Sequence, residues 1–117
     1  MKSRNDSVRM KRFQIEEKRR QIGQIEAMVE EFRRMVGDLD LEIAAEHRRT
    51  GIDDPKHFAY STFARAATQR RANLQNSIND LQEKMERAQA GFDTAMAELK
   101  RDEERLERDS GADRAVG

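Results

Sequence analysis

VRMKRFQIEEKRRQIGQIEAMVEEFRRMVGDLDLEI, residues 8–43, decides the fold. Taken in sevens, the first (a) position of each heptad reads Val8, Ile15, Ile22, Val29, Val36, Ile43, every one a β-branched aliphatic. Three residues further on, the d position reads Lys11, Lys18, Ile25, Phe32, Leu39, Glu46, apolar in the middle and charged at both ends. An apolar repeat of 3.5 residues holds one stripe of a helix toward a partner helix along its whole length, so the pattern predicts a supercoiled helix. The remaining sequence has to supply what that stripe packs against.

A second row lies further along. From Thr62 to Arg108 the a positions are Ala64, Arg71, Ile78, Met85, Phe92, Leu99, Leu106, and the d positions, starting just ahead of them, are Tyr60, Ala67, Leu74, Leu81, Ala88, Ala95, Asp102. Between the rows stands the one place where the chain can turn back. Gly51 follows Arg48 and Arg49, a glycine stop with basic residues in the last turn. IDDP brings the single proline, Pro55; a short helical turn over HFAY is expected next, with Ser61 or Thr62 capping the second helix. The expected organisation is a polar lead-in over 1–7 ending on Ser7 as N-cap, helix 1 over about 8–50, a loop over 51–61, helix 2 over about 62–108 and a flexible tail over 110–117. The fold class is therefore all-α, a long two-helix antiparallel coiled-coil hairpin occupying 8–109.

Folding at the loop sets layers whose residue numbers add to about 110. Val36 then faces Leu74, Phe32 faces Ile78, Val29 faces Leu81, Ile25 faces Met85, and Ile22 faces the small Ala88. Lys18 lays its aliphatic stem on Phe92. The expected core is Val8, Ile15, Ile22, Ile25, Val29, Phe32, Val36, Leu39, Ile43, Leu74, Ile78, Leu81, Met85, Phe92 and Leu99; a slip by one heptad would preserve the pattern. Charge agrees with this direction. Residues 2–20 carry eight basic side chains against three acidic, and residues 98–109 carry six acidic against four basic. A hairpin sets one on the other, whereas a parallel dimer would set the basic start against itself.

Composition excludes several functions. Charged residues make up 39% and aromatics 5%, too few large apolar groups for a globular core of 117 residues. The 23 basic and 23 acidic residues cancel, so no global charge draws the chain onto nucleic acid or anionic lipid. There is no cysteine, hence no disulfide or thiolate chemistry. No run of about 18 apolar residues and no secretory signal in MKSRNDSVRMKR is present, which leads to an expectation of a soluble cytosolic protein with no membrane insertion. No phosphate loop or nucleophile constellation occurs, and adjacent carboxylates such as Glu16–Glu17 point in different directions on a helix, so an enzyme is not expected. His47 and His57 flank the loop with Asp53 and Asp54, but without an i, i+4 histidine pair they make a poor metal site; no cofactor is expected.

The outward f row of helix 1 reads Asp6, Phe13, Arg20, Ala27, Arg34, Leu41, Arg48. Phe13 and Leu41 are either ordinary solitary apolar residues or anchors for another protein, with Met28 and Met35 widening the surface. Phe58, Tyr60 and Phe63 at the turn are expected to cap the hairpin core in preference to binding a partner. The basic stretch RMKRFQIEEKRR has the helical setting of a basic-zipper grip on DNA, but Glu16 and Glu17 interrupt it and Ile15 belongs to the seam; no nucleic acid partner is expected.

Three segments carry a family resemblance: MKSR…VRMKRFQIEEKRRQI, DLDLEIAAE, and TGIDDPKHFAYSTFARAA…RRANL. Together they resemble the flagellar type III export protein FliJ family in its alphaproteobacterial form, over nearly the whole chain to about Arg108, with Ser61 where relatives usually have proline. The resemblance implies a cytoplasmic component at the inner-membrane side of the flagellar basal body, serving bacterial flagellum biogenesis and motility. It implies an antiparallel coiled coil, similar to the stalk of rotary ATPases, that binds and activates the hexameric export ATPase and contacts the cytoplasmic domain of the membrane export gate. Export chaperones are further implied partners, in a chaperone-escort role. On exposure and position, the ATPase contact is expected at Arg9, Arg12, Phe13, Arg20, Arg101 and Arg105, and the gate contact at Arg34, Leu41 and Arg48. A hairpin that is monomeric by itself fits this reading. The alternative is a self-associating structural coiled coil or a nucleic-acid-binding regulatory one.

Overall fold

The computed structural model describes residues 2–116, with side chains over 3–111. Two helices account for nearly all of it: α1, Lys2–Thr50, of 49 residues, and α2, Thr62–Val116, of 55. The described residues contain no strand. The protein is an all-α helical hairpin, and its contacts fall into two units. One comprises 25–84, in which the second half of α1, the loop and the first half of α2 pack together; the other comprises residues up to Gln24 and from Met85 onward.

Within each unit the heptad rows meet. Val8, Ile15, Ile22, Ile25, Val29, Val36, Leu39, Ile78 and Leu99 are buried, and Phe32, Ile43, Leu74, Leu81, Met85 and Phe92 are half-buried. From Val8 to Leu106 not one a or d residue of the two rows is exposed, the charged ones included. In the terminal unit Val8, Ile15 and Leu99 form a buried cluster, with Phe92, Ala95 and Leu106 packed on it. In the loop unit Tyr60, Ala64 and Ala67 join the core. Alanines there let the α2 backbone come close to the larger side chains of α1. The residue numbers of facing pairs add to 107 at His47–Tyr60 and 111 at Asp40–Arg71 in the loop unit. They add to 111 at Arg19–Phe92 and 113 at Lys11–Asp102 in the terminal unit. The seam thus holds the register near 110; a heptad slip would need 103 or 117.

The structure corrects three local expectations. Residues 2–7 are not a lead-in: α1 already runs from Lys2, so Ser7 sits inside the helix and caps nothing. Nothing in KSRNDS breaks a helix, and the extra turn lets Arg4 pair with Asp109 of α2. Residues 110–116 are likewise helical, since a single glycine at 111 costs only about 1 kcal/mol and no proline follows. Met1 and Gly117 lie outside the described residues.

Third, HFAY makes no helical turn. The loop is two consecutive turns: His57 N–H donates to Asp54 O at 3.0 Å and Tyr60 N–H to His57 O at 3.1 Å. Side chains compete with the helical alternative here, Asp54 Oδ1 accepting from Lys56 N–H (2.9 Å) and His57 Nδ1 from Ala59 N–H (3.0 Å). Pro55 takes the second position of the first turn, where its fixed φ is preorganised.

Both helix ends at the loop are capped. Gly51 adopts φ +72° and its N–H donates to His47 O at 2.8 Å, closing α1 with a left-handed cap. Ser61 Oγ accepts from Ala64 N–H at 3.1 Å and so caps α2, the first of the two candidates. The same hydroxyl donates to Glu46 Oε2 at 3.1 Å, and His47 Nε2 lies 2.8 Å from Tyr60 Oη. The end of α1 is therefore tied side chain by side chain to the start of α2.

Candidate partner-binding surfaces

The terminal unit is held by charge along its margins as well as by its seam. Arg4 pairs with Asp109, Lys11 with Asp102, and Arg12 with Glu103 at 3.5 Å. Lys11 and Asp102 occupy d positions, so their bond lies in the seam with both side chains about one-third or less exposed. The Lys11 ammonium holds the Asp102 carboxyl below the ordinary carboxylate range against partial desolvation, with help from Arg105 and Arg101. Sequence reading missed this pair, although opposite charges on the two d rows, near the same end of the hairpin, were its signal.

The six residues expected to face an ATPase are all at the surface of this unit, but they do not make one patch. Arg12 is paired across to Glu103 and Arg20 along its own helix to Glu17 at 2.8 Å, so both have a carboxylate already. Arg9, Arg101 and Arg105 have no ion pair among the described residues and are exposed. Arg105 lines a groove of about 310 Å³ with Arg4, Ser7, Val8, Lys11 and Asp102, three cations to one carboxylate. Phe13 is elsewhere, on the outer row of α1, 63% exposed. Its neighbour one helical turn back, Met10, is also exposed. That pair is the larger apolar feature, and Met10 was overlooked because it lies on the c row beside f.

In the loop unit Leu41 is 71% exposed and Arg48 is exposed without an ion pair among the described residues. Arg34 donates to Glu31 at 2.6 Å, and that bond raises the guanidinium pKa further. A groove of about 280 Å³ lies one row over, lined by Glu42, Ala45, Glu46, Arg49 and Phe63. Phe63 comes from α2 and was expected to cap the core; it is half-exposed in that groove instead. Of the three turn aromatics only Tyr60 caps the core, while Phe58 stands clear of it.

The loop histidines are engaged with aromatic rings, His47 tilted against Tyr60 and His57 stacked on Phe58 at 4.7 Å. Among the described residues no group of three or more His, Asp or Glu is placed to hold a metal ion, and no helix is long and apolar enough to cross a membrane. No family model, no curated protein and no solved structure matches the chain. What the geometry defines is a class: a coiled-coil hairpin whose seam is closed by its own two helices and whose outer rows carry unsatisfied cations and apolar side chains.

Proposed function

We propose that the chain is a non-enzymatic stalk of a flagellar type III export apparatus. In this reading it binds and activates the hexameric export ATPase, links it to the cytoplasmic domain of the membrane export gate, and escorts export chaperones. It works in the cytoplasm, peripheral to the basal body. The observation that supports the reading best is the closed seam: since α1 and α2 satisfy each other's a and d rows, every outward row is available to neighbours. The likeness of the loop segment TGIDDPKHFAYSTFARAA to the FliJ family supplies the identity of those neighbours.

On the ATPase side the unpaired Arg9, Arg101 and Arg105 favour an acidic surface, while Arg4 and Lys11 remain with Asp109 and Asp102, and Phe13 with Met10 offers an apolar anchor. On the gate side Leu41 and Arg48 act with Phe63 and Ala45, while Arg34 remains with Glu31. The test is turnover and ring assembly of the cognate export ATPase with and without the full chain. Stimulation that is lost in Arg101→Ala/Arg105→Ala and in Phe13→Ala is expected, with helicity unchanged. No effect of the wild-type chain on either quantity would overturn the reading.

A further inference from the structure

Phe58 is 98% exposed, more than any other large apolar side chain described. On a flexible loop such exposure would be unremarkable, because the ring could fold back. Here the backbone around it is fixed. Asp54 O and Asp54 Oδ1 take the N–H groups of His57 and Lys56, and His57 O and Nδ1 take those of Tyr60 and Ala59. The loop is also pinned to α2, since Arg65 donates to Pro55 O at 2.9 Å while its guanidinium lies 5.2 Å over the ring of buried Tyr60. Phe58 itself contributes a stack on His57 and nothing to the core. Any polar residue could keep these bonds at lower cost in exposed apolar area.

We propose that the hairpin tip is a preformed plug, in which Phe58 seats in an apolar, basic-rimmed pocket of a protein partner. Fixing the turn beforehand removes most of the ordering entropy that a loop would lose on binding, so one aromatic can act as a hot spot. Asp53 and Asp54, exposed beside it and without an ion pair among the described residues, outnumber Lys56 and specify the basic rim. The same two carboxylates oppose an anionic lipid surface, which favours a protein pocket over a membrane. The inference does not rest on the export reading: a tip partner outside any export apparatus would uphold it and count against that reading.

The experiment places a photoreactive side chain at the tip of the full chain, Phe58→p-benzoylphenylalanine, with irradiation in cells and sequencing of the adduct peptide. The expected result is one principal protein adduct, at apolar residues bordered by Lys or Arg. The purified partner should then bind Phe58→Ala about thirtyfold more weakly than wild type, the loss of a hot-spot aromatic. Circular dichroism of Phe58→Ala should be unchanged, because the ring touches no core residue. An adduct with a second copy of the chain, retention on phosphatidylglycerol vesicles that depends on Phe58, absence of any adduct, or equal affinity of Phe58→Ala would each overturn the proposal.

Discussion

Asp102 shows how a charged residue comes to occupy an apolar seam. Its d position would suit a leucine, yet the facing Lys11 makes a carboxylate the side chain that leaves no charge uncompensated. Because the folded pair keeps this carboxyl ionised below its unfolded range, the stability it supplies is present above about pH 4 and is lost as acid titrates it through its lowered value. Glu46 behaves in the same direction, held down by Arg49 and Ser61. Thermal midpoints measured from about pH 6 to pH 2 should therefore fall with acid in the wild type. Asp102→Asn should start lower at neutral pH, with Lys11 left unpaired, and fall less steeply. A variant whose acid profile parallels the wild type would deny the pair its role.

At the level of elements, the heptad rows were legible because a seam repeats: each a or d position is tested by its neighbours seven residues away, and from Val8 to Leu106 all are sheltered. Gly51 and Ser61 were legible for a different reason, since caps use few residue types. The helical state of residues 2–7 and 110–116 was not, because nothing local marks it and Arg4–Asp109, which ties the first of these segments to α2, is a contact between distant residues. The exposed faces were half legible: the f row located Phe13 and Leu41, but the pairing of Arg12 with Glu103 joins distant residues and the outward position of Phe58 rests on the loop's own hydrogen bonds, neither of which periodicity encodes. The glycines within α1 and just after it make the distinction measurable. A Cβ at Gly23 or Gly37 would meet nothing within 4 Å, so Gly23→Ala and Gly37→Ala should each raise stability by about 0.5–1 kcal/mol in urea melts. Gly51→Ala should lower it by about 1–2 kcal/mol, because a side chain at φ +72° meets its own backbone. Equal effects at all three positions would mean that helix propensity alone governs α1.

For the molecule as a whole, the loop decides between a hairpin and a two-chain rod. The a row of α1 continues in sevens from Ile43 through Thr50 and His57 to Ala64, the first a position of α2, so both helices share one heptad phase. Nothing in the periodicity would stop the chain from running straight through and pairing with a second copy. What opposes it is local: the left-handed Gly51, Pro55, the two turns, and the ties Glu46–Ser61 and His47–Tyr60. Joining the helices in one chain also gives each seam an effective concentration that a second copy has to exceed. Light scattering should accordingly find the 13.6 kDa monomer. Replacing residues 51–59 by helix formers, with length and phase unchanged, removes the reversal but keeps every a and d residue of both rows. The product should be a dimer of about twice that mass, and antiparallel, since a parallel one would set the basic residues of 2–20 against each other. Were the wild type already dimeric, or the replacement still monomeric and fully helical, the reversal would not be what makes this seam intramolecular.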